Sequence, residues 1–238
     1  MSLQEYYELG VKQAFMEKVS GSNKNENRAK AVALGAIAAP VAANLGAVGL
    51  AAGGSALENK LTPGGAAGND MLQGLRSHMN VDPRVSVEFG GQIRHPLMAH
   101  YDPRAKAVRV AHKTPPSLLA HELGHASGKP ILGWGGQAVS RKLAPLLALA
   151  GTAGQAWTDP DSTATNVLRY GPAVAAAPTF AEEVRATTRG MKGLHRTGGK
   201  GAALKGLLSL LPALGTYGLA ATSPIWGGKL VQHLANKD

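Results

Sequence analysis

Long runs without charge constrain this chain more than any other feature. From Ala31 to Leu57 there is no charged residue, and Gly206 to Gly228 is a second such run, bracketed by Lys205 and Lys229. Shorter ones cover 143–158 and 171–181. A helix rises about 1.5 Å per residue, so the two longer runs can cross a hydrocarbon core about 30 Å thick. Segments like these must be buried in protein or in lipid. Within 31–57, Gly35, Ala39, Ala43, Ala47 and Ala51 recur at every fourth position, and Gly49 pairs with Gly53. Such a small-residue ladder lets helices approach closely in a bilayer. Ala and Gly insert weakly, however, and Pro40 and Asn44 interrupt the run, so burial inside protein competes with membrane insertion. Pro212 and Pro224 are expected to kink or break the C-terminal run.

The remaining charge is lopsided. Charged residues make up only 17% of the chain, yet its formal net charge is +10. That excess favours anionic partners, either lipid headgroups or nucleic acid. Lys24, Arg28 and Lys30 flank the first apolar run, and Arg185, Arg189, Lys192, Arg196, Lys200 and Lys205 form a basic run. A solvated helix face and a contact with an anionic leaflet both suit that pattern. There is no cysteine, which rules out disulfides and thiolate ligands and leaves His, Asp and Glu as the metal-binding side chains. The first thirty residues have no apolar core followed by a cleavage site, so no signal peptide is expected. Residues 2–19 read as an amphipathic helix, with Ser2 and Glu5 at capping-box spacing and an apolar stripe of Leu3, Tyr7, Val11, Phe15 and Val19. It would dock on protein or lie on a membrane surface.

Farther along, 58–80 reads as a Gly-rich connection leading to a short helix. Residues 85–89 (VSVEF) alternate as a strand does, Val108 and Val110 belong to a second strand, and Tyr101-Asp-Pro-Arg supplies the turn before it. His95, His100 and His112 read as polar strand and loop residues. A helix follows, with Thr114 as N-cap, Pro115 as first residue and Gly128 as stop. That helix carries His121-Glu-Leu-Gly-His125. Residues four apart on a helix lie one above the other, so both imidazoles can bind one cation. Glu122 points about 100° away, beside the cation rather than on it. It is placed to take a proton from a water that zinc (Zn2+) acidifies to a pKa near 7. The preceding strand would offer an edge to an extended substrate.

A third ligand must come from elsewhere. Metzincins need a His six residues after His125, but Ile131 stands there; deformylases need a Cys. Thermolysin-like enzymes need a Glu about twenty residues downstream, yet Ala126 to Thr158 holds no carboxylate. The candidates are Asp159, Asp161, Glu182 and Glu183, with the Glu pair preferred because Thr179-Phe-Ala-Glu-Glu-Val-Arg-Ala186 reads as a second helix. Glu182 would otherwise pair with Arg185 or Arg189. His195 and Tyr170 are candidates for oxyanion stabilisation, against an ordinary packing or surface role.

The order of segments resembles the gluzincin-type membrane metallopeptidases of the HtpX and CAAX-prenyl-protease kind. In these an HExxH helix is followed by hydrophobic helices and then by a glutamate helix with the motif ExxA[DS]. The resemblance covers roughly residues 95–200. It implies zinc held by His121, His125 and Glu183, Glu122 as general base, and Ala186 as the motif's small residue; Thr187 stands where the motif has Asp or Ser. The implied fold is α+β, mostly α: a zincin-like core of small hairpin or sheet, HExxH helix and glutamate helix, with further Ala/Gly-rich hydrophobic helices. The expected organisation is an amphipathic helix and linker at 1–30, a hydrophobic helix at 31–57, a linker at 58–80, a metallopeptidase core at 81–200 and a C-terminal hydrophobic helix at 201–238. The expected substrate is a protein or peptide, cleaved at or in the membrane of a bacterial envelope. A second reading rests on style. Tyr7-Glu-Leu-Gly-Val-Lys-Gln-Ala-Phe15 followed by Ala/Gly-rich helices is similar to small structural or ejected proteins of tailed bacteriophages, whose partners would be other virion proteins. A third has the zinc purely structural, which would require a fourth protein ligand.

Overall fold

The computed structural model describes residues 23–33, 68–90, 99–111 and 114–236. The expected helix at 2–19, almost all of the 31–57 run, the Gly-rich part of 58–80, and His95 and His112 lie outside the described residues. The protein is α+β and mostly α. Its elements are α1 (Asn23–Val32), α2 (Asn69–Met79), β1 (Ser86–Phe89), β2 (Ala99–Asp102), β3 (Ala107–Val110), α3 (Pro116–Ala126), α4 (Gly133–Gly154), a 3-10 turn (Gln155–Trp157) and α5 (Thr163–Ala235).

The chain divides into two compact units. One comprises Met1–Asn44, Lys142–Ala176 and Leu219–Asp238; the other comprises Leu45–Arg141 and Ala177–Gly218. In the first, Ala31, Val32, Ala156, Val231 and Ala235 form a small apolar core. In the second, a larger core gathers Leu72, Leu75 and Met79 of α2, Val85, Val108 and Val110 of the sheet region, Leu119 and Leu123 of α3, and Leu194 of α5. Each fully buried Leu contributes roughly 1.5–3 kcal/mol by leaving water.

The sheet has the order β1-β3-β2, with β3 parallel to β1 and antiparallel to β2. The strand expected to offer an edge, β3, is therefore central, and Ala107, Val108 and Val110 are buried as that position demands. The edges are β1 and β2, and β2 is built partly from residues that read as a turn. The reason is local. Asp102 Oδ1 accepts the backbone N–H groups of Arg104 (2.9 Å) and Ala105 (3.2 Å), so the reversal begins at Asp102 and Tyr101 stays extended.

Two other expectations change. Pro115, not Thr114, is the N-cap of α3; no side chain caps it, and the buried Thr114 hydroxyl has no partner among the described residues. In α5 the chain keeps helical angles through Pro212 and Pro224, so neither breaks it. The non-helical residue is Gly199, at φ 78° and ψ −177°, where α5 kinks between two helical stretches. Proline's fixed φ is itself helical, whereas a positive φ favours glycine. The stretch Thr163–Leu219 of α5 is long and apolar enough to cross a membrane by length and composition.

Candidate metal centre

Helices α3 and α5 cross almost backbone to backbone. A Cβ on Gly124 would collide with the carbonyl of Ala186, and one on Gly190 would meet the carbonyl of Ala120 at 2.7 Å. Gly124 lies inside the HELGH sequence and Ala186 is the small residue after the glutamates. This close approach brings the side chains of the two helices together.

His121, His125 and Glu183 converge there. Glu183 Oε2 lies 3.2 Å from His121 Nε2 and 3.4 Å from His125 Nε2, and all three side chains are nearly buried. The three ligand atoms lie within 4.8 Å of one another, a group that could hold a metal ion. The fit can be tested by distance. Zinc bonds of about 2.0–2.1 Å place neighbouring ligands of a tetrahedron about 3.3 Å apart, which matches both carboxylate–imidazole separations. The two rings stand edge to face with centroids 4.8 Å apart.

Neighbouring groups fix each member. His121 Nδ1 is 3.0 Å from Thr187 Oγ1. With a metal on Nε2, Nδ1 would carry the proton and donate it to that hydroxyl, which would hold the ring. Arg141 Nη2 donates to Glu183 Oε1 at 2.6 Å, leaving Oε2 for the histidines. Burial alone would raise the Glu183 pKa, but hydrogen bonds from both imidazoles and their charge outweigh it and hold the carboxyl well below the usual range. For His121, burial works downward, and the Glu183 hydrogen bond with the Glu122 and Glu183 charges gives a net upward shift.

Glu122 stands apart from the trio. It is buried, and its Oε2 accepts the backbone N–H of Tyr101 at 2.7 Å. Burial pushes its pKa up, opposed by the two imidazoles and that N–H. Glu182 does not reach the histidines. It forms ion pairs with Arg185 (3.5 Å) and Arg189 (3.6 Å), and Arg189 also donates to the Gly124 carbonyl. Asp159 and Asp161 are exposed beside the start of α5, outside the three-residue group.

A cavity of about 390 Å³ opens on the centre, lined from β2 by His100 and Tyr101, from α4 by Trp134, Gln137 and Arg141, and from α5 by Tyr217. His195 and Tyr170 are exposed and do not line it. Tyr217, Arg141 and Gln137 escaped sequence reading; the one available signal was the spacing Trp134, Gln137, Ala138, Arg141, a single helical face. No protein-family model, curated protein or solved structure matches this chain.

Proposed function

We propose that the protein is a zinc-dependent endopeptidase working at a membrane surface, with His121, His125 and Glu183 as ligands and Glu122 as general base. The observation that carries this reading is the convergence of two imidazole nitrogens and one carboxylate oxygen beside a cavity, with a separate buried carboxylate next to them. Two nitrogens and one oxygen suit zinc, and three protein ligands leave a position open, as catalytic sites do. Bound there, zinc would polarise a scissile carbonyl and acidify water.

The chain's own groups do the rest. Glu122 takes a proton from the attacking water and delivers it to the leaving amine. Tyr101 N–H orients that carboxylate, and β2, an edge strand, lines the cavity. An extended peptide would add to that edge as a further strand. Membrane association is supported by α4, which exposes Val139, Leu143, Leu146 and Leu147 around Lys142, in a stretch without carboxylates.

The test is Glu122→Gln with metal content measured beside hydrolysis of casein. The variant should keep one zinc per chain and lose activity by about 10²- to 10⁴-fold. Survival of activity would overturn the mechanism, and absence of metal from the wild-type protein would overturn the reading.

A further inference from the structure

The face of α4 turned toward the centre carries Trp134, Gln137, Ala138 and Arg141. Its two other polar or aromatic members are engaged. The Trp134 ring lies 5.5 Å from that of Tyr101, and Arg141 holds Glu183. Gln137 is different. It is 4% exposed, and among the described residues neither its Nε2 nor its Oε1 has a hydrogen-bond partner. Buried amides are nearly always paired, because an unmade hydrogen bond forfeits the water it replaced. A leucine or methionine of similar volume would fill the same space without that cost.

A side-chain amide offers a donor and an acceptor side by side, as does a peptide unit, and the two pair reciprocally. We propose that Gln137 is a substrate-binding residue, its Nε2 donating to a main-chain carbonyl and its Oε1 accepting a main-chain N–H of a peptide lying in the cavity between β2 and α4. The inference rests on the endopeptidase reading and adds to it what the cavity recognises: the backbone of an extended peptide, gripped on one side by the β2 edge and on the other by α4. Because nothing holds the Gln137 amide in its present orientation, turning it toward a ligand breaks no bond.

The experiment compares zinc-loaded wild-type protein with Gln137→Met, and with Gln137→Leu should the first fail to fold. Zinc content, melting temperature, kcat and KM are measured on one peptide that the wild-type protein cleaves. The expected result is unchanged zinc, a melting temperature equal to or above that of the wild type, and KM raised about tenfold with kcat nearly constant. Unchanged KM in an active, stable variant overturns this inference and leaves the endopeptidase reading intact. A lower melting temperature with loss of zinc also overturns it, by making Gln137 a structural residue. A zinc-loaded wild-type protein that cleaves no peptide overturns both.

Discussion

Each of the two units buries a polar cluster, and the clusters use burial differently. In the unit containing 142–176 and 219–238, Gln155 Nε2 donates to the carbonyls of Gly151 and Pro224, and Arg169 bridges Gln155 Oε1 and Gln232 Oε1. Those contacts tie the 3-10 turn to two stretches of α5. Around the candidate metal centre, polar groups are also held, but the groups that hold them stand behind: Thr187 behind His121, Arg141 behind Glu183, Tyr101 N–H behind Glu122. The front atoms, two Nε2 and one Oε2, are left facing one another. The Gln155 cluster is tied together by its own side chains and main chain, although the buried Gln232 Nε2 finds no partner among the described residues. The His121, His125 and Glu183 group is braced from outside, with its three ligand atoms turned toward one another.

The largest break in that contrast should come from Glu183→Gln. Its amide keeps the shape but removes the anion that Arg141 and both imidazoles surround. Zinc affinity should fall by more than the about 10- to 100-fold typical of an outer partner, and hydrolysis should vanish with it; metal titration followed by peptide assay reads both. The opposing substitution, Gln155→Leu, should lower stability by about 1–3 kcal/mol because Arg169 loses a partner. It should leave zinc affinity unchanged. Loss of metal from Gln155→Leu would erase the distinction.

The glycines sharpen it further. Gly124→Ala forces a methyl into the Ala186 carbonyl and pushes α3 from α5, whereas Gly228→Ala forces one into the Gln155 amide. Both should cost roughly 1–3 kcal/mol in denaturant melts. Only Gly124→Ala should also weaken metal binding, since it moves two ligands away from the third.

This pattern explains what was legible in the sequence. His121 and His125 share one turn of one helix, so spacing alone brought them together. Glu183 was reachable through a second helix and its small residue, because close crossing needs Ala186 opposite Gly124. The bracing groups were not legible: Arg141 closes on Glu183 across 42 positions, and nothing local about an arginine at the edge of an apolar run marks that contact. β2 was hidden for another reason. His100, Tyr101 and Asp102 do not alternate in polarity, and Asp-Pro announces a turn whose first residue is the last of the strand. The basic run after the glutamates was ambiguous until Arg185 and Arg189 were seen on Glu182 and Arg196 on the His78 carbonyl. Much of that run is bracing as well.

The smallest expected effect tests the bracing idea most directly. Thr187→Val preserves volume and removes the hydroxyl 3.0 Å from His121 Nδ1, which would accept that nitrogen's proton once zinc holds Nε2. The ring remains a ligand but loses its orientation and leaves a nearly buried N–H unpaired. Zinc affinity should fall about tenfold, at the low end for an outer partner, with kcat at saturating zinc little changed. Thr187→Ser keeps the oxygen and should restore affinity. If Val and Ser variants bind zinc equally, the hydroxyl does not brace the imidazole, and the Gly124–Ala186 crossing must be what sets the ring by packing alone.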